Sequence, residues 1–203
     1  SFCLLFNANR KGLSVEIKEA LTKRRTIHNY LDEEIDQNLV KQALEFALLA
    51  PNHRFTFPWK FILIGKETRE KIVMNMLDMA ETKKGVVSGE ELLARTNKIR
   101  SKIINPAALV AFVLPKNSNP FTEREDYASI ACAIHSFSLA LMEENWGSKW
   151  STGKFTQHPK TYKLLDLDIE VEEIVGFVMV GHTATEIPAR RRPNLTEALK
   201  ILK

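Results

Sequence analysis

Clustered basic residues near the two ends of the chain are the first groups whose chemistry can be argued from the sequence. Arg24, Arg25 and Thr26 are consecutive, and Arg190 and Arg192 lie in a basic run close to the C-terminus. Two guanidinium groups beside a hydroxyl can bind a phosphate through charge-assisted, bidentate hydrogen bonds. A simpler interpretation is that cations at a helix C-terminus complement its dipole, and that the later run is a solvated tail. Taken alone, each cluster favours the simpler interpretation.

Two further segments combine polar side chains with backbone that can approach a ligand. The proline-flanked loop before Trp59 carries His53, which can hydrogen-bond through either ring nitrogen, although a solvated loop histidine is the simpler interpretation. Gly153 permits a close backbone approach to a planar ligand, with a plain β-turn as an equal alternative. The residues of interest in this second segment are Trp150, Ser151, Thr152 and Gly153.

The apolar pattern predicts the elements that must position these residues. Ala107–Leu114 and Glu173–Val180 are continuous apolar runs, typical of strands buried on both faces, and Trp59–Ile64 predicts a third strand. The predicted helices are Val15–Arg24 (capped by Ser14, with Ile17 and Leu21 on one face), Gln37–Leu49 (capped by Asp36), Lys66–Ala80, Glu125–Asn145 (ended by Gly147) and Pro159–Leu165.

Two stretches of the chain are predicted to differ from an ordinary amphipathic surface helix. Glu81–Lys102 is charged and weakly amphipathic, which predicts a mobile excursion from the fold. Glu125–Asn145 is apolar enough to predict deep burial, in part against a second subunit. Together the elements predict an α+β class, a three-layer α-β-α domain whose central sheet has helices on both faces. We expect one domain over residues 1–203.

Composition excludes several classes of function. The chain has 203 residues, 44% of them hydrophobic, and a formal net charge of +4. Its basic residues are scattered beside acidic ones, so no nucleic-acid partner is expected. No apolar run reaches the roughly 20 residues that span a bilayer, and Ser1–Phe6 is too short for a signal sequence, so we expect a cytoplasmic protein without a membrane partner. Cys3 and Cys132 provide neither a disulfide framework nor metal-type spacing.

Familiar catalytic motifs are missing from the sequence. There is no Gly-rich dinucleotide fingerprint after a strand, no Walker A motif and no His-Glu-x-x-His. His135 lies within an apolar helix and is more typical of a core or interface histidine than of a catalyst. The sequence therefore predicts no metal ligand, and the residues alone identify no catalytic side chain.

In their order and separation, the four motifs resemble those of the FMN-dependent nitroreductase family, and in particular a small single-domain NAD(P)H nitroreductase branch. The resemblance covers roughly Ile17 to Leu199 and is weakest between Glu81 and Asn105. Arg-Arg-Thr followed by Tyr30, and Arg-x-Arg-Pro-x-Leu, are similar to the phosphate-side segments of the family. The chain departs from the family in the loop before Trp59, where Phe55 and Phe57 replace common polar residues.

The resemblance implies a nitroreductase-like fold with a mixed, mostly antiparallel sheet, and a homodimer with FMN at the subunit interface. NADH or NADPH would reduce the flavin at N5, and a nitroaromatic, quinone or related conjugated compound would reoxidise it in a ping-pong scheme. The implied cofactor-binding residues are Arg24, Arg25, Thr26, His28, His53, Trp150, Ser151, Thr152, Gly153, Arg190 and Arg192. His53 would contact FMN across the dimer interface.

Three alternatives stay open at this point. The chain could be a non-catalytic flavin-binding or regulatory protein, or it could carry another flavin chemistry on the same scaffold. A third alternative concerns His28, which stands where the family usually has Arg or Lys beside the flavin pyrimidine edge. Either His28 supplies a titratable positive charge there, or Arg24 or Lys149 supplies the charge instead. The sequence does not identify the electron acceptor or choose between NADH and NADPH.

Overall fold

The structure, a computed structural model, describes residues 16–84, 89–189 and 191–202, with the side chains of residues 81–84 left aside. Its helices are α1 (Ile17–Lys23), α2 (Gln37–Ala47), α3 (Lys66–Lys84), α4 (Glu90–Ile103), α5 (Pro120–Glu143), α6 (Pro159–Leu164) and α7 (Leu195–Ala198). Its strands are β1 (Lys60–Leu63), β2 (Ala108–Pro115), β3 (Gly147–Ser151) and β4 (Glu172–Gly181), and a 3-10 turn covers Lys154–Gln157. Ser14 and Val15, the predicted start of the first helix, lie outside the described residues.

The four strands form one sheet in the order β1-β2-β4-β3, with every neighbouring pair antiparallel. Among the described residues, Thr26 and Ser148 form an isolated parallel bridge beside this antiparallel sheet. The predicted mostly antiparallel sheet is thus confirmed. β2 and β4 occupy the centre, which explains why their sequences are apolar on both faces.

Helices cover both faces of the sheet, as the sequence predicted. On one face, the side chains of α3, α4 and α6 pack against Leu109, Ala111 and Met179. On the other face, α2 and α5 pack against Val110, Phe112 and Val178. The α2 helix begins where predicted, because Asp36 accepts a hydrogen bond from the Asn38 backbone N–H at 2.8 Å.

Several boundaries differ from prediction for physical reasons. The expected excursion is wrong for Glu90–Lys102, because α4 is a regular helix whose Ile99 and Ile103 are buried in the core, whereas residues 85–88 lie outside the described part of the chain. The α5 helix starts at Pro120, earlier than predicted, since Asn119 caps it by accepting from the backbone N–H groups of Phe121 and Thr122. It ends before Asn145, which adopts a left-handed backbone at φ 63°. Gly147 is therefore the first residue of β3 and does not end the helix.

The first helix and α5 differ in how far they are buried. Ile17 and Leu21, which share one face of α1, are 74% and 53% exposed, and Ala20 is the buried residue of α1. Glu125–Asn145 is deeply buried as predicted, and most of its apolar stripe packs against the sheet of its own chain. Within the described residues, no helix is both long and apolar enough to span a membrane.

Candidate functional site

The segment that follows α1 lies directly beside the edge strand β3. Thr26 forms the parallel bridge with Ser148, and the Ile27 backbone N–H donates to the Ser148 carbonyl at 3.3 Å. Ile27 is buried, and a Cβ on Gly147 would meet its side-chain carbons at 2.8 and 2.9 Å, so only glycine permits this approach. The structure therefore brings together two of the four sequence motifs, the Arg24–His28 segment and the Trp150–Gly153 segment, at one edge of the sheet.

The basic side chains of this edge are only partly engaged within the chain. Arg24 and Arg25 are half-buried. Arg25 donates through Nη1 to the backbone carbonyls of Thr22 and Arg24, at 2.6 and 2.9 Å, so it closes the end of α1 as the helix-dipole interpretation expects. Thr26 and His28 are exposed. The end of α1 thus presents guanidinium, hydroxyl and imidazole groups next to β3.

Lys149 joins these groups from the middle of β3. Its Nζ lies 3.2 Å from Nδ1 of His28. Burial lowers the pKa of the Lys149 ammonium from its ordinary value, and the positive charge of Lys102 lowers it further. The sequence offered Lys149 only as an alternative to His28, because the contact joins residues 121 positions apart.

Trp150 and Gly153 occupy the end of β3 and the turn that follows it. Trp150 pairs with Val178 in the register of β3 and β4, and its indole Nε1–H donates to the Val175 carbonyl at 3.4 Å. Gly153 has φ 157°, a backbone conformation that residues with a side chain rarely adopt. Thr152 and Gly153 are exposed. The segment thus runs from an edge strand into the 3-10 turn Lys154–Gln157, and its polar sequence did not predict the strand.

The loop with His53 lies at the opposite edge of the sheet, before β1. In the four-stranded sheet, the edge strands β1 and β3 are three interstrand spacings apart, or about 14 Å. Asn52 organises this loop: its amide donates to Thr56 Oγ1 and to Ser129 Oγ on α5, and its Oδ1 accepts from the Phe57 backbone N–H at 2.9 Å. His53 is exposed. Within one chain, the loop with His53 therefore precedes one edge strand, and Trp150 lies on the other.

Two aromatic side chains stand out from the same loop. Phe55 and Phe57 have left-handed backbones, at φ 52° and 48°, and are 75% and 62% exposed. Such a conformation costs roughly 1–2 kcal/mol for a residue with a side chain. Contacts with α5 hold the loop in place: Arg54 Nε donates to Glu125 Oε2 at 3.0 Å, and Thr56 Oγ1 donates to the buried carboxylate of Asp126.

The C-terminal basic run is not joined to the other motifs in the part of the chain that the structure describes. Arg191 and Arg192 are exposed on the segment before α7, whereas Arg190 lies outside the described residues. Apolar residues after this run are also exposed, among them Leu195, Ile201 and Leu202 at 73%, 78% and 80%.

Other parts of the described chain offer less to a phosphate or a metal. A cavity of about 530 Å³ lies between α6 and β4, but Asp166, Asp168 and Glu172 line it and would repel an anion. No group of three or more potential metal ligands occurs among the described side chains. The basic edge formed by Arg24–His28 and Lys149 is the better candidate site.

Comparison with known proteins decides the family. The model of the Nitroreductase family matches residues 21–182, which is most of the chain. The chain belongs to the nitroreductase family. The match starts within α1 and ends just after β4, so it includes both motifs at the basic edge and the loop with His53.

Individual members of the nitroreductase family are distant in sequence but similar in fold. YfhC of Bacillus subtilis, a candidate NAD(P)H nitroreductase, is 24% identical over 166 residues, covering 82% of this chain and 84% of YfhC. A nitroreductase-like protein from Bacillus cereus superposes with a TM-score of 0.80 at 22% identity, covering 94% of this chain and 98% of that one. A candidate nitroreductase from Desulfovibrio desulfuricans, solved in complex with FMN, gives 0.68 at 22% identity, covering 90% and 94%.

The chemistry of the basic edge suits an anionic, planar ligand. This edge carries the half-buried guanidinium groups of Arg24 and Arg25, the ammonium group of Lys149 and the exposed hydroxyl of Thr26. Gly153 leaves room beside the backbone. A Cβ on Gly153 would have no neighbour nearer than 3.9 Å. A flavin mononucleotide, with one phosphate and one flat ring system, has this combination of charge and shape.

Proposed function

We propose that this protein is an FMN-dependent NAD(P)H oxidoreductase that acts as a homodimer, with residues 1–203 as its single FMN-binding domain. The observation that carries the proposal is the bridge between Thr26 and Ser148, since it joins Arg24–His28 to β3. Membership of the nitroreductase family and relatives named for FMN and NAD(P)H support the cofactor and the reductant. The compartment that we propose is the cytoplasm, where both nicotinamide reductants occur.

When bound, FMN would supply the redox chemistry, taking a hydride from NADH or NADPH and passing it to a nitroaromatic, quinone or related conjugated acceptor in a second half-reaction. The residues of the chain would bind and orient it. Arg24, Arg25 and Thr26 would hold the phosphate by charge-assisted hydrogen bonds, with Arg190 and Arg192 as further ligands. The backbone of Trp150, Ser151, Thr152 and Gly153 would approach the edge of the ring.

The dimer is proposed because the motifs lie at both edges of the sheet. The loop with His53 precedes β1, whereas Trp150 lies on β3 at the opposite edge, and these two strands are about 14 Å apart. A second subunit would bring its own His53 to the flavin that is held at the basic edge. Exposed apolar side chains on α1, on the loop before β1 and on the C-terminal segment offer the surface for such a contact, notably Ile17, Phe55, Ile201 and Leu202. Sedimentation of the flavin-loaded protein at low micromolar concentration should give a dimer, and a stable loaded monomer would contradict this part.

The central test is an absorption spectrum of the purified protein, followed by anaerobic addition of NADH or NADPH and then of a quinone. We expect a yellow protein that releases FMN rather than FAD, loses its flavin absorbance with a nicotinamide and regains it with the quinone. A protein that takes up no FMN in titration would end the proposal. A protein that binds FMN but does not oxidise NAD(P)H would be a non-catalytic flavin binder.

Variants of the phosphate-binding residues sharpen this test. Arg25→Ala and Arg192→Ala should each raise the Kd for FMN about 10-fold to 100-fold, since a hydrogen bond to a charged group contributes roughly 1.5–3 kcal/mol. Arg124→Ala, at an exposed position of α5, is the matched control and should leave the Kd unchanged. Equal Kd values for FMN in all three variants would show that Arg25 and Arg192 do not bind the phosphate.

A further inference from the structure

The contact between Lys149 and His28 joins two groups that both can carry a positive charge. Their nitrogens, Lys149 Nζ and His28 Nδ1, are 3.2 Å apart. An ammonium group has three donors and no lone pair, so it can only donate in a hydrogen bond. If Lys149 is charged, His28 must accept through Nδ1 and hold its own proton on Nε2, which makes the imidazole neutral.

The alternative assignment, with a charged imidazole and a neutral amine, is less favourable. Free lysine binds its proton about four pH units more strongly than free histidine. Burial and the charge of Lys102 lower the pKa of Lys149. From the ordinary difference in proton affinity between the two side chains, we infer that the proton stays on Lys149 and that His28 is the acceptor.

Lys149 has basic neighbours on two other parts of the chain. Lys102 approaches from the end of α4, and Arg24, Arg25 and His28 belong to the segment after α1. Burial of an ammonium among other cations is unfavourable unless an anion is close by. The arrangement is understandable if Lys149 faces a group that is negatively charged during the function of the protein.

We propose that Lys149 supplies the fixed positive charge beside the pyrimidine edge of the flavin, and that His28 is a positioning residue which holds the ammonium in place as a neutral acceptor. This inference rests on the proposed binding of FMN. A hydride brings two electrons and one proton to flavin N5, and the ring then carries one negative charge unless N1 takes up a second proton. A fixed cation at that edge stabilises this charge.

The experiment measures the flavin midpoint potential of the holoprotein against pH by spectroelectrochemistry, together with the Kd for oxidised FMN. In Lys149→Gln, the affinity for reduced relative to oxidised FMN should fall at least tenfold, which lowers a two-electron potential by about 30 mV. Lys149→Arg should keep the wild-type potential. Lys163→Gln, at an exposed position on α6, is the matched control and should also keep it.

Two substitutions test the positioning role of His28. His28→Gln retains an oxygen that can accept from Lys149, so it should keep most of the wild-type potential, whereas His28→Leu should lose part of it. If His28 carried the charge itself, both variants would shift the midpoint potential equally. A bend of the wild-type potential–pH curve near neutrality would then be absent from the curves of both variants. That result would overturn the assignment.

The outcomes separate this inference from the proposed function. A wild-type protein that takes up no FMN means that both are wrong. If the protein binds FMN, and the potential–pH curves of Lys149→Gln and Lys163→Gln are the same, only the proposed role of Lys149 is wrong. Far-UV circular dichroism identifies a variant that does not fold, and the pair Lys149→Arg and His28→Gln then still tests the proposal, because a change of potential in both would contradict it.

Discussion

Substitution of Gly176 by alanine should displace Trp150 from the face of the sheet. Gly176 lies within β4, and a Cβ built on it would be 2.2 Å from Trp150 Nε1 and 2.6 Å from Cδ1. Unbonded heavy atoms settle at roughly 3.5 Å, so the indole would have to retreat by about 1.3 Å. The Ser151 carbonyl, at 3.1 Å, belongs to the backbone of the paired strand and leaves little freedom on that side.

The expected cost follows from this overlap. Forcing extra atoms into a packed site costs typically 1–3 kcal/mol, and here the hydrogen bond from Trp150 Nε1 to the Val175 carbonyl is weakened as well. We therefore expect Gly176→Ala to lower the free energy of unfolding by about 2 kcal/mol. Because Trp150 belongs to the proposed flavin site, the same variant should also weaken FMN binding.

A double-mutant cycle with urea unfolding of the apoprotein measures the effect. Trp150→Ala removes the obstacle, so the loss in the double variant should be smaller than the sum of the two single losses by about 1 kcal/mol or more. Gly65→Ala is the matched control, since a Cβ there would meet nothing within 4 Å. Additive losses for Gly176→Ala and Trp150→Ala would refute the inferred packing of the indole.

Two further predictions concern buried polar side chains. Arg69 is buried and donates to the carbonyls of Ile64 and Pro106, at 2.9 and 2.6 Å, so Arg69→Met should lower the free energy of unfolding by about 2–4 kcal/mol because it leaves these acceptors unpaired. Arg69→Lys should lose less and the exposed control Arg124→Met almost nothing; equal stabilities in denaturant titration would contradict the role of Arg69. Burial raises the pKa of the Tyr30 phenol, so its stabilising contribution is complete below the unfolded-state pKa near 10 and declines above it by up to about 1.4 kcal/mol per pH unit. The difference in stability between the wild type and Tyr30→Phe should therefore shrink or reverse as pH rises above about 10, and a difference that stays constant would rule this out.

Local patterns in the sequence determined the central elements of the fold. β2 and β4 were predictable because a strand in the middle of a covered sheet must be apolar on both faces. The start of α2 was predictable from Asp36, since capping depends on neighbouring residues alone. The order of the four motifs was sufficient for the family, which the family match confirms.

Tertiary contacts decided the rest of the fold. Nothing in Gly147–Ser151 has the alternation of a strand, and this segment becomes β3 because it pairs with β4. The α4 helix is weakly amphipathic and is held by the burial of Ile99 and Ile103. Such elements depend on partners distant in the sequence, so their own residues carry only part of the information that specifies them.

The geometry of the candidate site was decided at the same level. The sequence named Arg24–His28 and Trp150–Gly153 as separate motifs, and the bridge between Thr26 and Ser148 joins them. It could not assign the charge at this edge, because protonation depends on the contact between Lys149 and His28 across 121 residues. Residue types determined which chemistry was available, and the pairing of distant strands decided which groups share one site.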